Sequence, residues 1–391
     1  MKKIVNITLL YALAFSSSYA NETNLLGKLK VEGEVRALYS AISNDNSNDI
    51  YATAVGVALS AKSQNEQGFN IGVAFRSTKD IKLLSGEGEN LSDELSGKER
   101  EYTVLSESYL EYRYNNITLR GGRQHIDTPS ADSDDIRMVP NSFEAYTALV
   151  EFDSLELLAG FMTKWQGADA GLDSGWKETG DSTFAAVTLS KESLDASVWF
   201  YNIANRENAS RTIYSEVTYS FNPSSDIAMS STLQYLKQSQ LKSSGIASSI
   251  VGALIEISGD DIYVSLAYNS SAKKASKSSL SGLGGGVLFS SMDSMILDEI
   301  TQDRAVSALK GEFVYEYDAQ LLWSYAYGNF NGEKNSSGKR EHIVEQNFIV
   351  EYIAKENFAL SLIYRIDSNR EYKESDEFNS QNIRVFTSYS F

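Results

Sequence analysis

Cysteine is absent from the 391 residues, proline occurs three times and histidine twice. Without cysteine no disulfide can brace the fold, and no thiolate can bind a metal or attack a substrate. Scarce proline suits a chain of long sheet segments, because proline cannot donate to a strand ladder. The two histidines, His125 and His342, lie in neither an HExxH motif nor a GxSxG nucleophile elbow, and no glycine-rich phosphate loop is present. After Ala20 there is no run of about 18 apolar residues, so the chain offers no transmembrane helix. Positive charge is also short. With 35 Lys and Arg against 52 Asp and Glu, the net charge is -17, which argues against nucleic acid as a partner.

What is present begins with a leader. Lys2 and Lys3 precede a mostly apolar stretch from Ile4 to Phe15, and Ser18-Tyr19-Ala20 places small residues at a cleavage position. The expected organisation is a signal peptide over 1–20 and a single body over 21–391. No cysteine follows Ala20, so no lipid anchor is expected. No plug domain precedes Gly27, so energy-coupled uptake is not expected either. An exported chain without a spanning helix can enter a membrane only as a closed sheet, which pairs every backbone donor and acceptor internally.

Alternation carries the fold. In the last ten residues Ile383, Val385, Thr387, Tyr389 and Phe391 share one face, while Asn382, Arg384, Phe386, Ser388 and Ser390 share the other, with Phe386 out of character. The same grammar recurs about eighteen times, in segments of the roughly ten residues a tilted strand needs to cross a bilayer. The segments are 28–40, 50–62, 68–77, 105–115, 116–124, 142–152, 154–163, 182–190, 193–202, 211–221, 226–236, 248–258, 261–269, 308–317, 320–329, 342–354, 357–367 and 381–391. Short links alternate with long ones, the long ones being 79–104, 125–141, 164–181, 270–307 and 367–380. Short periplasmic turns and long external loops produce this rhythm. The fold class is therefore all-β: a transmembrane antiparallel barrel of about 18 strands. A soluble sandwich or propeller is the competing reading, since alternation alone does not say which face is inward. The leader, the loop rhythm and a terminal Phe391 at the inner aromatic girdle favour the barrel.

Between Gly121 and Ala148 runs GGRQHIDTPSADSDDIRMVPNSFEAYTA. Through Gly122, Arg123, Gln124, Thr128, Pro129, Asp134, Arg137, Pro140, Phe143 and Glu144 it resembles the OprD-type outer-membrane porins, including their epsilonproteobacterial members. Ala145 departs from the glycine expected there. The resemblance implies an eighteen-stranded fold whose third external loop, here 125–141, folds inward as a constriction. It also implies residence in the bacterial outer membrane among its lipids, no cofactor, and passage of small hydrophilic solutes, often carboxylates or amides, along lumen arginines. A homotrimer is the implied assembly, and Phe391 resembles the C-terminal signature read by the barrel assembly machinery.

If the strand faces are right, Arg36, Arg76, Arg113, Arg120, Arg365 and Arg384 point inward from the first, third to fifth and last two strands, gathering on one wall. Glu216, Glu256, Glu312, Glu316, Glu345 and Glu351 point inward opposite them. A transverse field of this kind would orient dipolar solutes, although Glu32, Glu34 and Glu111 blur the separation. Plain solvation of a wet wall explains the same charges. Asp132, Ser133, Asp134, Asp135 and Arg137 form the candidate constriction, expected to meet the arginine wall at close range. Three aspartates there could ligate a calcium ion, but the spacing is no calcium loop, and no metal is assigned. The loop 270–307, with GLGGG at Gly282 to Gly286 followed by Val287, Leu288, Phe289 and Met292, reads either as a second lid in the pore mouth or as disorder. A barrel serving as adhesin or receptor, and an outer-membrane hydrolase with His125 or His342 as base, are the alternatives to a porin.

Overall fold

The computed structural model describes residues 28–391 apart from 46, 65–67, 135–136, 206–208, 285, 356 and 371–376. The leader assigned to 1–20 lies outside the described residues, as does Asp135. The strands are β1 (Lys28–Asn44), β2 (Ile50–Gln64), β3 (Phe69–Asp80), β4 (Glu101–Tyr114), β5 (Ile117–Gln124), β6 (Asp127–Thr128), β7 (Ala131–Asp132), β8 (Ser142–Glu151), β9 (Leu155–Gln166) and β10 (Lys177–Lys191). They continue with β11 (Leu194–Ile203), β12 (Ser210–Ser224), β13 (Ile227–Gln240), β14 (Ser248–Ser258), β15 (Ile262–Ser271), β16 (Val306–Glu316), β17 (Leu321–Gly332), β18 (His342–Lys355), β19 (Phe358–Arg370) and β20 (Glu377–Ser390).

Among the described residues eighteen of these strands form one sheet, and β6 and β7 form a separate hairpin inside it. Every neighbour runs antiparallel, and β1 pairs with β2 on one side and with β20 on the other. The sheet therefore has no edge. The seam runs from Glu34 opposite Ser390 to Asn44 opposite Ser380. Phe391 extends it by one step, exchanging two 2.9 Å backbone hydrogen bonds with Gly33. Gly33 leaves room for the Phe391 ring, which would stand 2.4 Å from a Cβ there. Among the described residues no helix is long and apolar enough to cross a membrane.

The two faces separate as the pleat requires. Val31, Val35, Leu110, Leu119, Tyr146, Val198, Leu233 and Leu266 are exposed on the outside, the apolar face a barrel turns to lipid. Their strand neighbours Arg36, Leu38, Glu111, Tyr201 and Gln234 are buried on the inside. All eighteen expected strands occur, but several run longer toward the external rim: β1 reaches Asn44, β3 reaches Asp80, β4 begins at Glu101 and β10 at Lys177. These extensions carry polar residues on both faces because both are wet above the bilayer. Alternation fades there while the backbone ladder continues. In β10 the ladder against β9 shifts between Glu178 and Ser182. Gly180 (φ 70°) and Asp181 (φ 60°) take left-handed conformations at that bulge.

The buried apolar clusters lie between the wall and the loops folded against it. One joins Ile126, Phe143, Trp165, Tyr201 and Leu283; a second joins Tyr214, Leu236, Leu288, Leu297, Ile300 and Phe330; a third joins Leu38, Leu95, Met138, Val139 and Leu172. At the external rim Asp303 ties two loops together, accepting the amides of Ser336 and Ser276 at 2.9 Å each. The Ser336 bonds, then that of Ser276, hold its carboxyl down at about 2. A carboxyl depressed in the folded state lends its stabilisation above the ordinary carboxylate range and loses it as pH falls through the depressed value. Protection of the Ser276 and Ser336 amides, measured as exchange relative to the intrinsic rate, should thus persist until pH approaches about 2. Asp303→Ala should lower that protection at every pH above about 2, and equal protection in the variant would refute the tie.

Candidate functional site

Two external loops fill the lumen and meet there. The first, 125–141, leaves β5 at Gln124, whose buried side-chain amide donates to the Ala145 carbonyl (3.0 Å) and turns the chain inward. Its tip is the β6–β7 hairpin, with Asp127 opposite Asp132 and Thr128 opposite Ala131. The Thr128 hydroxyl donates across the turn to the Ala131 carbonyl (2.9 Å), and the Ser130 amide donates to the Tyr201 hydroxyl on the β11 wall (3.3 Å). Ser133 accepts the Ile126 amide (2.8 Å), which closes the base of the hairpin. Farther along, Asn141 donates to the Asp132 carbonyl (3.1 Å) and to Asp169 (2.6 Å). Arg137 reaches the same aspartate at 3.1 Å.

The second loop, 272–305, follows β15. It is folded into the lumen, as the lid reading expects. Its Leu283 makes a parallel bridge with Ala131: the Leu283 amide donates to the Ser130 carbonyl (2.9 Å), and the Asp132 amide donates to the Leu283 carbonyl (3.2 Å). Gly282 makes that approach possible. It has φ 124°, and a Cβ would stand 2.4 Å from the Ser130 carbonyl oxygen. Beyond the bridge, wall side chains satisfy the loop's backbone. Gln238 holds both the carbonyl (2.8 Å) and the amide (3.0 Å) of Leu280, Gln234 donates to the Val287 carbonyl (2.8 Å), and Asn269 accepts the Ser290 amide (2.9 Å). Buried loop backbone needs such partners, and the inward glutamines of β13 supply them. Near the loop's end Asp298 accepts from Ser279 and Ser281. Burial nevertheless pushes its carboxyl above the ordinary range.

The basic wall is inward but largely compensated. Arg36 pairs with Glu34 (2.8 Å) and donates to the Arg137 carbonyl (3.0 Å), so it also supports the first loop. Its guanidinium lies 5.7 Å from the Phe386 ring, which accounts for an aromatic residue on the lumen face of β20. Arg113 and Arg120 share Glu111 at 2.7 and 2.5 Å, and Arg120 also lies over Tyr109. Arg76 lines a vestibule of about 510 Å³ with Lys62, Glu107 and His125, where Lys62 pairs with Glu107 (3.4 Å). Arg365 and Arg384 are both held by Asp293 of the second loop, at 3.0 and 2.9 Å.

The six acids of the other wall are held in different ways. Glu216 accepts from the Tyr214 hydroxyl. Glu256 accepts from Ser230 and Tyr263, both at 2.6 Å. Glu312 is paired with Lys310 (3.1 Å) on its own strand. Glu316 and Glu351 flank Leu322 in register at the inner mouth. Glu345 departs from the expectation. It is fully buried and accepts the amides of Ser294 (3.1 Å) and Met295 (2.7 Å), so it anchors the second loop instead of lining a wet path.

The constriction residues also part company. Arg137 lies on the arginine side, where its carbonyl accepts from Arg36, and Asp132 lines a cavity of about 310 Å³ with Asp127, Trp199, Tyr214, Glu216 and Val287. Asp127 and Asp132 thus lie with Glu216 of the acidic wall. Desolvation and then, more weakly, Asp127 and Asp169 push the Asp132 carboxyl up, against the Asp134 and Ser133 amides. Asp134 donates its amide to Asp132 (3.2 Å), and Ser133 braces the hairpin. Among the described residues no three His, Asp or Glu side chains converge as a metal site. His342 contacts Asn329 (3.1 Å), apart from His125 in the vestibule.

Sequence reasoning missed Asp293, Asp169 and Trp199. The first two sit in loops, where no periodicity marks a residue as inward. Lys310 could have been found, since it shares the face of Glu312.

The family model described as outer membrane porin, OprD family, matches residues 27–293. No curated protein sequence matches. Among solved structures, the chain is similar to Acinetobacter baumannii OccAB2 (TM-score 0.79, 13% identity, covering 95% of this chain and 100% of the other). It is also similar to Acinetobacter baumannii OccAB4 (0.76, 16%, 95% and 100%) and to Pseudomonas aeruginosa OpdK with vanillate (0.76, 14%, 93% and 99%).

Proposed function

From the premise that the chain belongs to the OprD family of outer membrane porins, we propose that its lumen favours small solutes carrying a carboxylate, above all amino-acid-like solutes with both charges. The protein is a channel of the bacterial outer membrane for small solutes, and it is not an enzyme. Nothing in the family match favours an adhesin or a hydrolase. The observation that carries the finer reading is the constriction itself, with guanidinium groups on the β19–β20–β1 side and carboxylates Asp127, Asp132 and Glu216 on the β11–β12 side. A zwitterion can satisfy both, whereas a wide apolar solute would lose hydration without compensation. The vanillate named with the OpdK structure is itself a carboxylate.

The two walls differ in free charge. Arg113 and Arg120 share Glu111, and Arg365 and Arg384 share Asp293, which leaves some positive charge on that wall, while Glu216 and Glu256 hold only hydroxyl donors and leave negative charge on the other. The net charge of -17 over the whole chain outweighs that positive remainder, so the open channel should favour small cations even while carboxylates find the arginine side. In planar bilayers under a salt gradient the reversal potential should report cation preference. The double variant Glu216→Gln/Glu256→Gln should cut the permeability ratio severalfold. An anion-selective wild type would sink this assignment of the walls, and absence of stepwise conductance would sink the channel reading as well.

The proposal extends to processing and assembly: cleavage after Ala20, a homotrimer in the membrane, and insertion guided by Phe391. The N-terminal sequence and the mass of the purified protein in detergent test the first two. The membrane yield of Phe391→Ser tests the third, and an undiminished yield would count against it.

A further inference from the structure

The turn at Asp293 to Met295 presents two kinds of group side by side. The Asp293 carboxylate gives one oxygen to each of two guanidinium groups, Oδ2 to Arg365 (3.0 Å) and Oδ1 to Arg384 (2.9 Å). The next two amides, of Ser294 and Met295, donate one to each oxygen of Glu345 (3.1 and 2.7 Å). Arg365, Arg384 and Glu345 belong to three neighbouring wall strands, and all are buried. A carboxylate read by two arginines next to N–H donors read by a carboxylate is the pattern an α-amino acid zwitterion would present. The loop places its own copy of it in the wall. Charge-assisted bonds of this kind are strong when desolvated, yet a free solute with the same groups can form the same set.

We propose that residues 293–295 are a tethered mimic of the transported solute, and that Arg365, Arg384 and Glu345 form an amino-acid site which this segment occupies until a solute displaces it. The inference rests on the reading of amino-acid-like solutes given above and adds the site and the displacement. The segment is bounded by buried leucines, Leu288 before it and Leu297 after it, which anchor its ends to the wall. Displacement therefore involves only the short stretch between them.

Neutralising the mimic should vacate the site. In planar bilayers, glycine and serine should interrupt the current of Asp293→Asn at concentrations at least tenfold lower than those that act on the wild type. Adding Arg365→Gln and Arg384→Gln should abolish that gain. Acetate and ethylammonium, each carrying half of the zwitterion, should act more weakly than glycine on Asp293→Asn. Equal sensitivity of Asp293→Asn and wild type, with both conducting, would overturn the tethered mimic and leave the channel reading intact.

A second measurement does not depend on that variant folding. Met292 Cγ lies 2.7 Å from a Cβ built on Gly328 of β17, and the chain has no cysteine of its own. A Met292→Cys/Gly328→Cys disulfide would hold the segment against the wall. Glycine uptake into liposomes should then be slow when the pair is oxidised and recover on reduction. Equal uptake in the two states would overturn the proposal.

Discussion

Replacing Gly282 by valine should raise single-channel conductance severalfold. The reasoning starts from one backbone contact. Gly282 holds φ 124° and lies against Ser130, where a Cβ would come within 2.4 Å of a carbonyl oxygen and 2.7 Å of Cα. Both offending atoms are backbone, so no side-chain rotation relieves them. A β-branched residue at that dihedral adds strain of about 1–3 kcal/mol before the clash is counted. The accessible relief is separation of the two loops, which breaks the bridge between Ala131 and Leu283 and exposes Leu283 from its cluster with Ile126 and Phe143. The wall is untouched, because its ladder does not include either loop. The expected phenotype is therefore a normally folded barrel with a wider path. A conductance trace identical to wild type would show that the bridge does not set the calibre.

Thr387→Pro should prevent the barrel from forming at all. Thr387 stands inside β20, opposite Ala37 on one side and Leu360 on the other. Proline would remove its amide and crowd the strand at the closing seam. In water an interrupted ladder can be repaired by solvent. In hydrocarbon an unpaired amide or carbonyl costs several kcal/mol, and opening the seam exposes a row of them. Compact migration on an unheated gel and resistance to external protease should both be lost. Thr387→Val, which keeps the amide and the outward face, should retain them. A folded, protease-resistant proline variant would show that the seam between β1 and β20 does not hold the sheet closed.

Strand number and facing were legible in the sequence because lipid and water impose opposite demands on alternate residues. Val35 and Arg36 could be assigned without knowing their neighbours. The position of the first lumen loop was legible for a different reason, the resemblance carried by Gly121 to Ala148. What could not be read was pairing. Alternation states that Arg365 and Arg384 point inward but cannot show that one aspartate from a loop over 70 residues upstream sits between them. It likewise cannot separate Glu345, which binds loop amides, from Glu256, which binds hydroxyls on the wall. Loop residues obey no period, so their contacts follow from tertiary closure alone. The same limit explains why alternation does not show Asp132 and Glu216 lining one cavity.

Most of the lumen's arginines and their carboxylates are fixed at hydrogen-bond distance, and several are nearly enclosed. Screening by dissolved ions weakens separated, exposed charges much more than close, sheltered ones. A cell carrying this pore could therefore move between fresh and saline surroundings and find its solute preference little altered. Interruption of the current by small carboxylates, measured over a wide range of ionic strength, would reveal such constancy as a flat line.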